Sequence, residues 1–369
     1  MLTVLQVLPA LDSGGVEQST LEISAALVAA GHRSVVASAG GRLLPALVGG
    51  GAEHHLLGLG RKSPAALLAA LRLRRLLRSL RPDIVHARSR LPAWLAWWAL
   101  RGLPRGRRPH FVTTAHGLNS PGRYSAIMAR GERVIAVSAT VRDWLQRHYR
   151  VDASRIEVIP RGIDPARWQC AAAVAAGRRA VLEARHPALA GRRLLLLPGR
   201  GTRLKGHAEA IDLLAGLVAA GSDAALLLQG AEGSGRPAYL DALRARAARL
   251  GVGDRLALEP ASDDIVATMA CADLVLQLSS RPEAFGRTVI EALALGRPVL
   301  GWAHGGVGEL LAELYPHGAV PTGDAAAALA RAAALLADAP RPGPVPYTLA
   351  AMQERTLALY RSLAAGGAP

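Results

Sequence analysis

The chain has 369 residues, and its 44 Lys and Arg outnumber its 28 Asp and Glu, which gives a net charge of +16. That length exceeds one comfortable hydrophobic core, so we expect two domains. No apolar run reaches the roughly 18 residues of a membrane-spanning helix, and residue 1 leads into a strand pattern without a signal-peptide pattern. We therefore expect a cytoplasmic protein that does not span a membrane.

Two cysteines, Cys170 and Cys271, lie about a hundred residues apart without metal-ligand spacing. This pattern is typical of unpaired thiols in a reducing compartment. We assign no role to either thiol.

Positive charge is concentrated in the first half of the chain. Residues 1–164 hold 23 basic and 10 acidic residues, whereas residues 165–369 hold 21 and 18. Arginine accounts for 42 of the 44 basic residues, as GC-rich codon usage would produce. The excess in the first half still indicates attraction to polyanions, either anionic lipid head groups and phosphorylated glycolipids or nucleic acid.

Apolar, β-branched runs alternate with helical patterns along the first half. The predicted strands are 3–9, 34–38, 83–87, 110–115 and 133–138, and clear helical patterns occupy 16–30 and 65–80. This βαβ rhythm predicts a parallel, doubly wound α/β sheet.

The alternation of strands and helices begins again after a segment rich in Pro, Gly and Ala, where we place a linker near 162–175. Predicted strands follow at 194–199, 224–230, 255–260, 273–278 and 298–302, with helices at 207–220, 237–250, 263–270 and 323–337. A proline cluster at 339–346 precedes a last helix, about 347–369. We therefore predict a first domain of residues 1–164 and a second of residues 175–345.

The most informative segment is 281–309, RPEAFGRTVIEALALGRPVLGWAHGGVGE. It places Glu283 and Glu291 around a glycine turn, Phe285-Gly286, that opens a short helix. Free backbone N–H groups at such a helix N-terminus form an anion site. Glu291, about one turn into the helix, would reach the hydroxyls of a sugar attached to a bound phosphate.

The segment resembles the donor-site motif E-x-F-G-x-x-x-x-E-A of the retaining, Leloir-type glycosyltransferases of family four, here from Glu283 to Ala292. The resemblance covers most of the chain and is most specific at 12–19, 113–117, 158–164, 199–207 and 281–309. It implies the GT-B fold, in which two Rossmann-like domains face an interdomain cleft and the last helix crosses back to the first domain. Arg287 departs from the family pattern, where a smaller or apolar residue is common.

A second motif follows the strand at 194–199 and resembles the family's G-R-x-x-x-x-K-G element. Its members are Gly199, Arg200, Lys205 and Gly206. Breaking the bond to a nucleotide sugar builds negative charge on the β-phosphate, which an arginine and a lysine can stabilise without a metal. Lys205 is one of only two lysines in the chain, which favours a specific role.

Two further positions follow strands of the first domain. Gly14 and Gly15 come after the first strand, where paired glycines let a backbone approach a ligand closely. His116 directly follows the strand at 110–115, and in an open parallel sheet the crevice lies at the carboxyl ends of the strands. The resemblance implies that the glycines lie near the β-phosphate and that His116 contacts the donor sugar. The other first-half histidines that we considered, His32, His54, His55 and His86, are interpreted as loop or strand-end residues.

The resemblance also implies roles within the donor motif. Glu283 would bind the donor sugar and Glu291 the ribose hydroxyls, while the backbone of Phe285, Gly286, Arg287 and Thr288 would meet the phosphate or sugar. Retaining enzymes of this fold position and stabilise an oxocarbenium-like transition state rather than supply a nucleophile, so no metal or other cofactor is expected. Residues 259–262, including Pro260 and Ala261, would form the loop beside the base.

Two helical patterns in the first half bear on the acceptor. Residues 65–81 combine a leucine face with five arginines, and residues 91–108 carry Trp94, Trp97 and Trp98 at helical spacing. Such amphipathic, basic segments suit an anionic membrane surface. For the tryptophans we favour packing on the sheet.

The motifs and their resemblance to the family imply a retaining, metal-independent glycosyltransferase that uses a nucleotide-diphosphate sugar. The basic first half, together with an N-terminal region that looks like bacterial envelope-polysaccharide members of the family, indicates a glycolipid or polysaccharide acceptor. Lipopolysaccharide core at the inner membrane is the expected acceptor. A glycogen-synthase-like enzyme or a nucleotide-sugar epimerase would share the fold, and a non-catalytic polyanion-binding protein is the alternative of a different class. No helix-turn-helix, zinc or RNA-binding pattern favours a nucleic-acid partner.

Overall fold

The computed structural model describes residues 1–12, 14–60, 65–233 and 235–366. They form two compact units, residues 1–162 with the C-terminal segment from Leu349, and Ile163–Thr348. Residues 163–175, where the sequence analysis places the linker, fall in the second unit, and a helix begins there at Ala172. That prediction missed the helix because its alanine-rich sequence lacks a strong apolar stripe.

The first unit is built on a seven-stranded parallel sheet in the order β3-β2-β1-β4-β5-β6-β7. Its strands are β1 (Thr3–Val7), β2 (Arg33–Ser38), β3 (Glu53–Leu56), β4 (Ile84–Ala87), β5 (His110–Ala115), β6 (Arg133–Ala136) and β7 (Ile156–Val158). Its helices, apart from the C-terminal one, are α1 (Gly15–Ala29), α2 (Leu44–Gly49), α3 (Ala65–Leu80), α4 (Arg90–Arg101) and α5 (Ala139–Tyr149).

Both faces of this sheet are covered because alternate residues of each strand point to opposite sides. Leu5 and Val7 of β1 pack in the cluster formed with α3 and α4, whereas Val4 packs in the cluster that includes α1. Trp94 and Trp97 of α4 pack against the first cluster, as predicted, and Trp98 remains 50% exposed. A sheet buried on both faces is the doubly wound arrangement that the sequence predicts.

The second unit repeats this plan with a six-stranded parallel sheet in the order β10-β9-β8-β11-β12-β13. Its strands are β8 (Arg193–Pro198), β9 (Ala224–Gln229), β10 (Leu256–Glu259), β11 (Leu274–Gln277), β12 (Val299–Trp302) and β13 (Ala319–Val320). Its helices are α6 (Ala172–Arg185), α7 (His207–Ala219), α8 (Pro237–Arg249), α9 (Ile265–Ala270), α10 (Arg287–Ala294), α11 (Gly305–Leu314) and α12 (Ala325–Ala337).

The last helix, α13 (Leu349–Ala365), belongs to the first unit, where it packs on α1. Tyr360 of α13 is fully buried in the same cluster as Ile23 of α1. The return of the chain to its first unit is therefore confirmed. Residues 367–369, which the sequence analysis includes in this helix, lie outside the described residues.

In each sheet the strand order reverses between two central neighbours, β1 and β4 in the first and β8 and β11 in the second. Ligands of open α/β sheets bind outside the carboxyl ends of the strands at such a switch point. Each unit therefore offers one crevice, and the predicted site residues can be placed relative to it. No helix of the described part of the chain has the length and apolar character to cross a membrane.

Candidate functional site

The switch point of the second unit brings two predicted site residues into contact. Lys205 lies in the loop after β8, and Glu283 lies in the loop after β11. The Lys205 Nζ atom is 2.6 Å from Glu283 Oε1, and each side chain is about one quarter exposed. A lysine and a carboxylate that are 78 positions apart in sequence thus form an ion pair at the edge of one crevice.

Neighbouring polar groups hold the Glu283 carboxylate in place. Ser279 Oγ donates to Glu283 Oε1 at 2.5 Å, and Gln277 Nε2 donates to Oε2 at 3.3 Å. Hydrogen bonds to its oxygens from two further side chains restrict its orientation. Ser279 is fixed in turn because its carbonyl accepts from His304 Nε2 at 2.9 Å. The carboxylate is therefore pre-oriented at the end of β11.

Glycines let the loops of this crevice approach one another closely. Gly286 precedes α10 at φ +99°, where a Cβ atom would lie 2.9 Å from Val307 Cγ2 of α11. Gly306 packs on Phe285, and its N–H donates to the Glu283 carbonyl at 2.8 Å. Helices α7, α10 and α11 follow β8, β11 and β12, so their N-termini meet at the same sheet edge. That edge therefore carries the positive ends of three helix dipoles.

The remaining donor-motif residues lie on α10 and its entry. Phe285 is buried and packs edge-on against Tyr347, with ring centroids 5.8 Å apart. Glu291 Oε1 accepts from Arg287 Nε at 3.1 Å, one helical turn away. Thr288 is half-buried beside them. Arg287, the departure from the family pattern, thus holds the carboxylate predicted to bind a ribose.

Arg200 is exposed on the loop after β8 and lines a basic depression of about 410 Å³. Arg203, Arg236 and Tyr239 line the same depression. Behind this loop, His207 opens α7, and its Nδ1 atom lies 3.2 Å from the Tyr239 hydroxyl. Burial lowers the pKa of His207 to about 4, so the ring is neutral at physiological pH.

The loop predicted to lie beside the base follows β10. Pro260 and Ala261 are exposed there, and the Pro260 carbonyl accepts from the Gln229 side chain. Glu259 is buried, and its Oε1 atom lies 2.6 Å from His186 Nε2 and 2.9 Å from Arg185 Nη1. Although burial opposes it, hydrogen bonds from His186 and Arg185 hold the pKa of Glu259 below its usual range. Glu259 therefore anchors this loop.

The first unit holds the other predicted residues at its own switch point. His116 lines a pocket of about 410 Å³ that is also lined by Pro9, Arg88 and Thr114. Gly14 is the residue before α1 at φ +147°, and a Cβ atom on Gly15 would meet nothing within 4 Å. The loop after β1 therefore leaves open space at Gly15. Residue 13 of the same loop lies outside the described residues.

A buried polar network surrounds His116. Arg88, after β4, donates from Nε to Gln6 at 2.7 Å and from Nη1 to Ser19 at 2.9 Å. His86, interpreted from sequence as a loop or strand-end residue, is the next-to-last residue of β4 and is fully buried. It contacts the Tyr360 hydroxyl at 2.5 Å and Thr114 Oγ1 at 2.6 Å. Polar partners on two neighbouring elements thus satisfy a buried histidine near the end of the strand.

Sequence reasoning also missed residues that support the site. Ser279 and Gln277 hold Glu283, and Arg161 contacts His116. Ser279 and Gln277 could have been found because they end the strand next to the switch point. Among the described residues, no group of three or more His, Cys, Asp or Glu side chains is arranged to hold a metal ion.

Comparison with known families matches both units. The model for Glycosyltransferase Family 4 matches residues 13–167, and the model for Glycosyl transferases group 1 matches residues 180–343. Each unit of the chain thus matches a glycosyltransferase domain model. The family-4 domain contains His116 and the paired glycines, and the group-1 domain contains Lys205, Glu283 and Glu291.

Individual relatives agree with this assignment. The D-inositol 3-phosphate glycosyltransferase of Rhodococcus jostii (strain RHA1) is 32% identical over 189 residues, 49% of this chain and 40% of that protein. The chain thus aligns with less than half of that relative's length.

Solved structures match over nearly the whole chain. A glycosyltransferase from Rickettsia africae ESF-5 has a TM-score of 0.81 at 26% identity, covering 98% of both chains. Anabaena Alr3699/HepE, solved in complex with UDP and glucose, has a TM-score of 0.78 at 18% identity, covering 98% of this chain and 100% of that one. These matches confirm the predicted GT-B fold of two Rossmann-like domains.

Proposed function

We propose that this protein is a retaining, metal-independent glycosyltransferase that transfers a sugar from a nucleotide-diphosphate sugar to a hydroxyl of a glycolipid or polysaccharide. The observation that carries the proposal is the Lys205–Glu283 ion pair at the switch point of the group-1 domain. It joins the two motifs that resemble the family's donor site, at an edge where three helix N-termini meet.

The Lys205–Glu283 ion pair suits a nucleotide-diphosphate sugar, whose diphosphate is negatively charged and whose sugar carries hydroxyl groups. On binding, Lys205 exchanges Glu283 for the β-phosphate, and Glu283 becomes free to accept hydrogen bonds from sugar hydroxyls. Lys205, Arg200 and the helix N-termini then stabilise the charge that grows on the leaving diphosphate. Because these groups supply positive charge directly, the proposed reaction requires no metal.

The other donor contacts follow the motif. Glu291, oriented by Arg287, binds the ribose hydroxyls, and the backbone from Phe285 to Thr288 lies along the phosphates and sugar. The exposed Pro260 and Ala261 border the base. In the first unit, Gly14 and Gly15 admit the phosphates, and His116 donates to a sugar hydroxyl. We propose a uridine diphosphate sugar as the first donor to test, since HepE was solved with UDP and glucose.

The acceptor is proposed from charge and surface character. Exposed arginines and the exposed Leu67, Leu68 and Leu71 share one side of α3, a combination that suits an anionic membrane surface. We propose that the enzyme acts from the cytoplasmic side on lipopolysaccharide core. The Rhodococcus relative favours a second candidate, a small soluble acceptor such as a phosphorylated inositol.

Donor hydrolysis with product analysis tests the proposal without a known acceptor. The purified full chain is incubated with UDP-, GDP- and ADP-sugars in EDTA, and the released sugar is followed by NMR. We expect one nucleotide to be used, with the donor's anomeric configuration retained in the first sugar released. Release of the opposite anomer, or a strict need for divalent metal, would contradict the mechanism.

Variants of the two ion-pair residues test whether the activity depends on this site. Lys205→Ala and Glu283→Gln should each lower turnover by roughly a hundredfold or more, the loss seen when one transition-state contact is removed. Arg249→Ala, which removes one positive charge from the exposed end of α8, should leave turnover unchanged. The acceptor is then sought among core oligosaccharides, inositol phosphates and glucans.

A further inference from the structure

His116 is held by an arginine to which the proposed mechanism gives no role. Arg161 follows β7 and lies within the 158–164 segment that the sequence analysis singles out. Its Nη2 contacts His116 Nδ1, and its Nη1 donates to Ser19 Oγ of α1. The arginine is only 8% exposed, and the Met352 sulfur of α13 lies 3.9 Å from Nη1. Three elements therefore fix the guanidinium beside the imidazole.

The direction of this contact determines where the imidazole carries its proton. A guanidinium has five N–H donors and no acceptor, and it stays charged in proteins. His116 Nδ1 must therefore accept with its lone pair, which places the single proton of the neutral ring on Nε2. Within the described residues, that buried Nε2 has no hydrogen-bond partner. The ring thus presents one N–H donor that the protein leaves unused.

The groups around His116 also disfavour protonation of the neutral imidazole to the imidazolium form. Arg161 and Arg88 both lie in its surroundings, and His86 of β4 is itself buried. Glu22 of α1, which interacts with Arg88, and the Tyr360 hydroxyl of α13 are acidic groups on this side. Burial, Arg161, Arg88 and His86, in that order, hold the pKa of His116 well below its usual range. The ring therefore stays neutral through the physiological range.

We propose that Arg161 is a positioning residue that locks His116 as the neutral Nε2–H tautomer, so that His116 donates a hydrogen bond to the substrate and does not act as a general base. The part concerning substrate rests on the proposed function, whereas the locked tautomer does not. A base would need a lone pair facing the hydroxyl that it deprotonates, and the lone pair of this ring is engaged by Arg161. The acceptor proton must then leave by another route, such as the departing phosphate.

The tautomer can be read directly by NMR on the full chain labelled with 15N-histidine, with the His116 signals assigned by comparison with His116→Gln. For the wild type we expect the Nε2–H pattern and no titration of His116 between pH 8 and pH 5.5. An Nδ1–H pattern, or titration near pH 6.5, would overturn the proposal whether or not the protein binds any donor.

Variants of Arg161 supply the second readout. Arg161→Met removes every donor, so His116 should become a mixture of tautomers that titrates closer to 6.5, while Arg161→Lys should restore the locked form. Arg147→Met, which removes an exposed arginine of α5, is the matched control. Unchanged His116 signals in a folded Arg161→Met would contradict the proposal. If that variant does not fold, the wild-type tautomer and Arg161→Lys still decide the question.

Kinetics separate positioning from general loss of structure. With the donor identified, Arg161→Met should lower kcat by roughly tenfold to a hundredfold with little change in KM, and a new acidic limb should appear in its pH profile. Arg161→Lys should recover most of kcat. A wild type with the locked tautomer but no donor turnover would mean that the proposed function fails while the assignment of Arg161 stands.

Discussion

At the residue scale, an ion pair with Lys205 and hydrogen bonds from Ser279 and Gln277 hold the Glu283 carboxylate at the end of β11. Lys205 and Glu283 are recognisable because their motifs place charged side chains after strands, yet their ion pair depends on β8 and β11 being neighbours. Gln277 and Ser279 carry no motif of their own, and Arg161 lies in the 158–164 segment without a role assigned to it from sequence. Their importance comes from partners that only the folded sheet brings within hydrogen-bond distance, so sequence alone could not assign it.

The ion pair yields a prediction that separates phosphate binding from sugar binding. Lys205→Met removes a charge-assisted contact worth about 1.5–3 kcal/mol, so UDP affinity should fall roughly tenfold to a hundredfold. Glu283→Gln leaves Lys205 without its carboxylate partner, so UDP should bind at least as tightly as to the wild type. Turnover of the nucleotide sugar should nevertheless be strongly reduced. Calorimetry with UDP and a turnover assay measure the two effects. Equal loss of UDP affinity in both variants would contradict the proposed exchange of partners.

At the element scale, most central strands and long helices follow from hydrophobic patterning, whereas the short edge elements do not. The strands β3, β7 and β13 were missed because they lie at or next to sheet edges, span only two to four residues and include polar or half-exposed positions. The predicted linker at 162–175 overlaps the first turn of α6, a helix in which only Ala175 and Leu182 are buried, so its sequence shows no strong apolar stripe. Such elements are specified by their neighbours more than by their own composition.

The entry to α10 provides an element-scale prediction. Gly286→Ala combines positive φ with a close approach to Val307, so we expect a loss of about 1–3 kcal/mol in unfolding free energy together with weaker UDP binding. Gly296→Ala, beyond the other end of α10, also has positive φ but open space around it. It should cost about 1 kcal/mol and leave UDP affinity intact. Urea denaturation and calorimetry check both expectations, and weakened UDP binding in Gly296→Ala alone would argue against the proposed placement of the phosphates.

Helix α3 provides a second element-scale prediction. Replacing Leu67, Leu68 and Leu71 together with serine should abolish sedimentation with vesicles containing anionic lipid, because the apolar contact with the membrane is lost. The matched control replaces Val174, Val181 and Leu250, exposed apolar residues of the second unit, with serine. Equal vesicle binding by the two triple variants would refute membrane docking through α3.

At the scale of the whole molecule, buried neutral histidines should make both units sensitive to mild acid. His86 and His116 lie in the first unit and His207 in the second, and burial holds the pKa of each below 6.5. Below pH 6.5 these histidines become protonated in the unfolded chain, whereas in the folded protein they stay neutral. The free energy of unfolding is therefore highest above that pH and falls as the pH decreases. Each histidine should cost about 1.4 kcal/mol between pH 7.5 and 5.5.

Urea unfolding at the two pH values measures this loss. His207→Gln should remove part of the pH dependence of the second unit, and His317→Gln, at an exposed position, should not change it. Identical unfolding midpoints at pH 7.5 and 5.5 would show that these histidines are not held neutral. The carboxylates with lowered pKa values, such as Glu259 and Glu53, change the stability only at lower pH. They therefore do not contribute to the difference between pH 7.5 and pH 5.5.

We propose that the switch point of the second unit binds a nucleotide-diphosphate sugar through Lys205 and Glu291. The most direct test is calorimetric titration of UDP and other nucleoside diphosphates into the full chain in EDTA, with Lys205→Ala, Glu291→Ala and the control Arg249→Ala in parallel. We predict saturable binding of one nucleotide, weakened in the two site variants and unchanged in the control. Binding that survives in both site variants, or no binding of any nucleotide, would contradict the claim.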